Sequence, residues 1–453
     1  MKETHNLKQK YIQFLKILIP ILVTQVTMSL MTFFDTMMSG HASPADLAGA
    51  AIGSSIWIPV QTGLSGILMG ITPIVSQLVG GGQQNKVGYH VMQALWLAIA
   101  VSAAVLLIGG LAISPLLGSM QLEPKVHHIA FYFLVSISTG VLPLFGYIVI
   151  RSFIDSLGQT RVSMLITLVS LPLNVGAGYI LIFGRLGFPR LGGIGSGIAT
   201  AFTYWCIFLI ALWIAHKSEP FAGYGIFRKF HRVSFAKWKE LMKIGVPIGF
   251  AIFFETAVFA AVTLLMSRFD TLTIAAHQAA NNFASTLYMI PLSICLALTI
   301  LVGYEVGAGR QKDARQYGIL GISTAVALSL FTAVILMLFR RGVAGLYSNE
   351  EEVIVLITHF LVYAIFFQIS DAIATPIQGV LRGYKDVNPG FWISLLAYWI
   401  IGLPLGYALA NFTNQGPYGY WIGLITGLGV AAILLLRRLF VIQKKFSRSH
   451  EPS

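Results

Sequence analysis

Twelve apolar runs, each more than twenty residues long, restrict what this chain of 453 residues can fold into more than any other feature. A helix needs about twenty predominantly apolar residues to cross the hydrocarbon core of a bilayer. Prolines fall within or near several runs, and in a membrane protein such prolines predict bends, because neighbouring helices can satisfy the freed backbone groups. The sequence therefore predicts an all-α membrane protein with transmembrane helices at 14–39, 51–79, 91–117, 127–150, 162–184, 193–215, 243–267, 274–303, 317–339, 353–378, 389–410 and 418–440.

The composition indicates a surface that faces lipid. Only 10% of the residues are charged and 56% are hydrophobic, whereas about 25% of the residues in a soluble domain are charged. So few charges could not cover a water-facing surface of ordinary size. Cys206 and Cys295 both lie inside apolar runs, so the sequence has no disulfide framework and no paired-cysteine metal motif. The first run lacks an obvious cleavage site and is predicted to be a retained helix, not a signal peptide.

The placement of the positive charges predicts the orientation of the spans. If both termini are cytoplasmic, 24 of the 30 lysines and arginines fall on the cytoplasmic side, as the positive-inside rule requires. The basic residues are dispersed over alternate connections, so the net charge of +13 does not predict nucleic-acid binding. We therefore predict a multi-pass protein of the cytoplasmic (inner) membrane. The six positive residues left outside are Lys125, Arg185, Arg190, Arg268, Arg340 and Arg341.

Short matches at a constant offset of 227 residues relate the two halves of the chain. Ile19-Pro20 matches Val246-Pro247, and the turn at 80–84 matches the turn at 307–311. We therefore predict a six-helix lobe at 1–215, a basic cytoplasmic linker at 216–242, and a second six-helix lobe with a basic tail at 243–453. With an even number of spans in each half, the two bundles would be related by a pseudo-two-fold axis along the membrane normal. An old duplication without mechanistic meaning remains the alternative.

Three acidic residues lie inside predicted spans: Asp35, Glu255 and Asp371. An ionisable group at the bilayer centre costs roughly 2.5–3.5 kcal/mol on insertion scales. No lysine or arginine lies in the middle of any span, so the sequence offers these acids no embedded cationic partner. Such a carboxyl group can take up a proton, or it can stay ionised and coordinate Na⁺. The acids are therefore candidate coupling-ion sites, with Na⁺ possible at Glu255 and Asp371; the alternative is a protonated acid hydrogen-bonded within the bundle.

Other residues inside the spans are weaker candidates for a substrate pathway. An acidic and aromatic cavity without embedded cations suits lipophilic organic cations, since a ring can attract a cation. Polar residues within spans often only bond one helix to another. The sequence contains no phosphate-binding loop of the ATPase type, so an ion gradient is the expected energy source and no other cofactor is predicted. The pathway candidates are Asn174, Gln278, Asn282, Gln25 and Phe367.

Five segments, at 34–40, 80–83, 254–256, 275–278 and 378–386, carry a resemblance to a known family. They resemble the MATE (multidrug and toxic compound extrusion) family, in particular its bacterial NorM branch. The resemblance extends over essentially the whole chain and implies a drug–cation antiporter driven by Na⁺ or H⁺, with coupling acids at Glu255, Asp371 and Asp35. Proton-coupled relatives often have a second acid where this chain has Gly178. Some Na⁺-coupled relatives have a tyrosine where this chain has Phe367.

The resulting hypothesis is a multidrug efflux antiporter that exports lipophilic organic cations by alternating access, acts as a monomer and is not an enzyme. A flippase for lipid-linked saccharides is the alternative within the same superfamily, and it predicts basic residues in the central cavity. A passive channel would leave the embedded acids and the repeat without a role. An intramembrane enzyme is disfavoured, because no metalloprotease or serine–histidine motif occurs within the spans.

Overall fold

The computed structural model describes Met1 and residues 3–448, so Lys2 and residues 449–453 of the basic tail lie outside the described residues. The described chain is helical apart from short connections. Its helices are α1 (Leu7–Ala42), α2 (Pro44–Leu68), α3 (Ile71–Gly80), α4 (Gln84–Ser119), α5 (Pro124–Ser138), α6 (Val141–Ser156), α7 (Thr160–Phe183), α8 (Gly193–Lys217), α9 (Phe235–Met266), α10 (Thr271–Gly307), α11 (Gln311–Gly345), α12 (Glu351–Gly383), α13 (Asn388–Ser394), a π-helical segment (Leu395–Gly402), α14 (Leu403–Phe412) and α15 (Tyr418–Arg448).

The described helices confirm the predicted all-α fold with twelve spans. Eleven helical segments are long and apolar enough to cross a membrane, and the bent pair α5 and α6 supplies the twelfth. Most helices extend beyond the predicted spans; α1, for example, has 36 residues. The reason is that hydropathy detects only the part of a helix that matches the hydrocarbon, while its polar ends continue into the interface.

Close helix packing explains the bend in the fourth span. The helices α5 and α6 meet at 48° around Thr139 and Gly140. A Cβ atom on Gly140 would lie 2.8 Å from the Cα atom of Ala201 on α8. Only glycine therefore permits this approach of the α5–α6 corner to α8.

Contacts within the chain divide it into two compact units. Unit 1 contains Ile19–Gly249, and the described part of unit 2 contains residues 3–18 and 250–448. The beginning of α1 thus belongs to unit 2, and the beginning of α9 belongs to unit 1. The predicted lobes divide the chain at other places, and α9 begins at Phe235, within the segment predicted to be a linker. Hydropathy could not reveal this, because the first turns of α9 are polar.

In unit 2, the pairing of α10 with α12 is the most extensive helix contact, and two glycines on α12 permit it. A Cβ atom on Gly379 would lie 2.3 Å from the carbonyl oxygen of Cys295, and one on Gly383 would lie 2.9 Å from the backbone nitrogen of Gly303. Glycines spaced four residues apart let two membrane helices approach backbone to backbone. The face of α12 next to this contact carries the candidate site of unit 2.

The beginning of α1 is fixed to unit 2 by charged and polar contacts. Lys10 is 2% exposed, and its Nζ lies 2.9 Å from Oδ1 of Asp313 on α11. Close by, Nε of Arg310 lies 2.6 Å from Oε2 of Glu305, a carboxylate with no solvent exposure. The position of Glu305 near a predicted membrane edge suggests a side chain that reaches toward water; the structure shows a buried ion pair instead.

Candidate functional site

Asp35 of unit 1 lies among neutral polar side chains. Its Oδ2 accepts a hydrogen bond of 3.2 Å from the hydroxyl of Thr200 on α8, and the side chain of Asn174 on α7 neighbours the same carboxyl group. Among the described residues, Oδ1 of Asp35 and both polar side-chain atoms of Asn174 have no hydrogen-bond partner. The structure thus brings two predicted site residues together and leaves oxygen atoms of both available to a cation or a proton.

The space beside Gly178 in unit 1 is filled by Met38. Gly178 lies one turn after Asn174 on α7, and a Cβ atom there would lie 2.8 Å from Cε of Met38. A second carboxylate at this position would require Met38 to move. The side chain of Met38 occupies the space that a larger residue would need.

The acids of unit 2 form a buried pair. Glu255 on α9 is 9% exposed and Asp371 on α12 is 1% exposed, and each lies within the electrostatic reach of the other. The hydroxyl of Thr375 donates a hydrogen bond of 2.7 Å to Oδ1 of Asp371. The other oxygen of Asp371, Oδ2, has no partner in the part of the chain that the structure describes. Two like charges in one buried site are unfavourable without a bound cation or proton.

Two tyrosines complete the polar surroundings of Glu255. The side chains of Tyr288 on α10 and Tyr398 of the π-helical segment neighbour its carboxylate. The wider turn of a π-helix inserts an extra residue and re-aims side chains, and such segments frequently occur at functional sites. The segment is fixed next to Glu255 because Nε1 of Trp399 donates to the carbonyl oxygen of Phe254 over 3.1 Å.

One buried arginine contributes positive charge to the surroundings of the unit 2 acids, although it forms no ion pair with them among the described residues. Arg382 lies near the end of α12, is only 8% exposed, and exerts an electrostatic effect on Glu255. Its guanidinium donates to Oε1 of Gln378 over 3.4 Å. The sequence placed Arg382 in a loop because it follows the apolar part of the span. The packing of α12 against α10 buries it.

The other pathway candidates differ in exposure and in their contacts. Gln278 and Asn282 are exposed on α10, and Asn282 accepts a hydrogen bond of 3.1 Å from the hydroxyl of Tyr347. Gln25 is half-buried on α1. Phe367 is 5% exposed and packs against Phe259 and Trp421 with ring centroids 5.4 and 6.4 Å apart.

Sequence reasoning missed five residues of the two sites. Thr375 could have been found, because it follows Asp371 by four residues and therefore shares its helix face. The others are contributed by different helices, or carry no local signal within their apolar runs. Among the described residues, no group of three or more histidine, cysteine or acidic side chains could hold a metal ion. The missed residues are Thr200, Tyr288, Thr375, Arg382 and Tyr398.

Comparison with known proteins identifies the family. The MatE family profile matches residues 20–180 and 247–408, so its two matches begin 227 residues apart. The chain is 56% identical to a probable multidrug resistance protein NorM of Bacillus subtilis (strain 168), over 99% of each chain. It is 58% identical to the protein of the same name from Bacillus licheniformis, over 98% of this chain and 99% of that one.

A solved structure has the same fold. The crystal structure of a eukaryotic MATE transporter superimposes with a TM-score of 0.84 at 22% sequence identity, over 98% of each chain. The profile matches both halves of this chain, and the bacterial relatives are more than half identical over nearly its whole length. The chain therefore belongs to the MatE family.

Proposed function

We propose that this membrane transporter exports lipophilic organic cations in exchange for Na⁺ or H⁺. The observation that carries the proposal is the buried pair Glu255 and Asp371, which lies within membrane-spanning helices and has at least one oxygen atom without a partner. Buried acids of this kind are costly in a purely structural role. The family is one of transporters and not of enzymes. We therefore assign the acids to binding a coupling ion and not to catalysis.

The proposed substrates follow from the charge of the site and from the relatives. The bacterial relatives are named as probable multidrug resistance proteins. Acidic side chains attract cations, and the hydroxyl and carboxylate oxygens around Glu255 suit either Na⁺ or a proton. If the drug and the coupling ion cannot be bound at the same time, binding of one requires release of the other, and each transport cycle exchanges the two.

The proposed topology places both termini in the cytoplasm and the protein in the inner membrane. The distribution of lysine and arginine supports this orientation. Export then requires that the coupling ion enter from outside and leave on the cytoplasmic side, where α12 ends.

A flippase for lipid-linked saccharides is less well supported. Anionic lipid phosphates call for arginine or lysine free to bind them. The buried Arg382 acts electrostatically on Glu255, so the negative charge of the acid pair offsets its own.

Transport by purified protein in liposomes tests the proposal. A Na⁺ gradient and a pH gradient are imposed separately, and the movement of an ethidium-like cation is followed by fluorescence. We expect one gradient, or both, to drive uphill transport. Transport of the cation under neither gradient would contradict ion coupling, and transport of an anionic lipid analogue instead would favour the flippase.

A further inference from the structure

One face of α12 carries a buried polar stripe that runs from the acid pair to the end of the helix. Its members are spaced by three or four residues, which places them on a single helix face. All of them are at most 9% exposed. Hydrogen bonds link neighbours within the stripe: Thr375 to Asp371 over 2.7 Å, and Arg382 to Gln378 over 3.4 Å. The stripe consists of Asp371, Thr375, Gln378 and Arg382.

The corresponding helix of unit 1 lacks this stripe. The ends of α6 and α12 match at the offset of 227: α6 ends at Ser156 and α12 at Gly383, and each is followed two residues later by a residue with positive φ, Gly158 at 78° and Lys385 at 60°. At this offset, the four positions of the stripe are occupied in α6 by Leu144, Ile148, Arg151 and Asp155.

The charge at the end of each helix is therefore neutralised differently. In α6, Nε of Arg151 lies 3.4 Å from Oδ2 of Asp155, so the arginine has its own carboxylate one turn away. In α12, the residue one turn before Arg382 is the neutral Gln378, and Arg382 forms no ion pair within the described residues. A buried cation without a counter-ion is unfavourable. Asp371 is the acidic member of the stripe that ends at Arg382, and Arg382 also acts electrostatically on Glu255, so the acid pair supplies the opposite charge.

We propose that Arg382 is a built-in counter-charge that competes with the coupling cation for the carboxyl pair and so favours release of the cation toward the end of α12. With both acids ionised, two negative charges and one guanidinium leave one net negative charge, which a single monovalent cation neutralises. Without the guanidinium the pair would hold a cation more tightly and release it more slowly. This role rests on the proposed function, and it makes Arg382 a positioning residue that tunes the site without ligating the ion.

Two variants remove this competition by different routes. Arg382→Gln deletes the charge and keeps a polar side chain on the stripe. Gln378→Glu leaves the arginine but supplies a carboxylate one turn away, as in α6. Both should lower the cation concentration for half-maximal binding by about tenfold, as expected when one unit charge is removed or neutralised in a protein interior, and both should slow transport.

Two further variants are controls. Arg382→Lys retains the charge and should bind the cation within about threefold of the wild-type concentration. Arg437→Gln removes a charge from an exposed position on α15 of the same unit and should leave binding unchanged. Equal effects of Arg382→Gln and Arg382→Lys would indicate a packing role and would overturn the inference.

The measurement is equilibrium binding to purified protein in detergent, using radioactive sodium and, in parallel, proton uptake on acidification. Transport in liposomes tests the proposed function independently. If the wild-type protein binds the cation and Arg382→Gln binds it equally tightly, the role of Arg382 is overturned while the proposed function stands. Failure of the wild-type protein to bind either cation would overturn both the inference and the proposed function.

Discussion

The two units contain their buried acids in different surroundings, although a repeat relates their helices. In unit 1, Asp35 has neutral neighbours, with Thr200 bonded to one of its oxygens. In unit 2, Glu255 and Asp371 share a site with two tyrosines and an arginine. At the offset of 227 residues, Val262 corresponds to Asp35, and Leu144 corresponds to Asp371.

The comparison shows that the backbone repeats while the charges do not. The matched features are those that shape the helices: Pro20 and Pro247 within α1 and α9, and Gly82 and Gly309 with φ of 73° and 74° in the turns. Helix ends and bends depend on a few local residues, so both halves retain them. A buried charge requires partners from several helices, and each unit supplies different ones.

The largest effect is expected at the acid pair of unit 2. Glu255→Gln or Asp371→Asn should reduce coupled efflux by about a hundredfold or more, because each removes a group that would bind the coupling ion. Asp35→Asn should cause a smaller loss, since its neighbours are neutral. Drug resistance of cells and efflux from liposomes would measure both. The control is Glu352→Gln, which changes an exposed acid of α12. Normal export by both Glu255→Gln and Asp371→Asn would refute the importance of the acid pair.

The close contact of α10 with α12 is the next point at which the units differ. Unit 2 has Gly379 where unit 1 has Ser152. Gly379→Ser should lower the free energy of unfolding by about 3 kcal/mol, because the new side chain meets the backbone of α10. Thermal unfolding in detergent would measure this loss. The same substitution at Gly429, which has open space around its Cβ position, should change stability little; equal losses would contradict the packing argument.

Two equivalent lysines provide a third test of the comparison. Lys10 is buried against Asp313 of unit 2, whereas its counterpart Lys237 forms an exposed pair with Glu240 on the same helix. Lys10→Gln should cost about 2 kcal/mol, because it leaves a partly buried carboxylate without its partner. Lys237→Gln should cost less than about 0.5 kcal/mol. Thermal unfolding of both variants at low and high salt would compare them, and equal shifts would be inconsistent with the buried pair.

The smallest effect is expected at Gly178 of unit 1. Gly178→Ala should cost about 1 kcal/mol, since the new methyl group meets only the flexible end of Met38. The combination with Met38→Ala should recover the stability. Gly176→Ala, on the same helix with open space around it, is the matched control. If the single Gly178 variant were as stable as the control, Met38 would not limit the size of this site.

The spans were predictable because crossing a bilayer imposes a length and an apolar composition on each helix. The three acids were also predictable, since a carboxylate inside an apolar run is costly wherever the helix packs. The bend at Gly140 was not predicted, because it depends on the approach of α8. Nor was the beginning of α9 at Phe235, whose polar first turns resemble a linker.

By itself, the sequence determined twelve helices, their repeat and the positions of the embedded acids, all of which follow from the polarity of single segments. Only the tertiary structure decided which groups surround those acids. Tyr288, Tyr398 and Arg382 come from three separate helical segments, and their proximity to Glu255 depends on the packing of α10, α12 and the π-helical segment. The contacts that distinguish the two acid sites are therefore a property of the fold, because no single segment contains them.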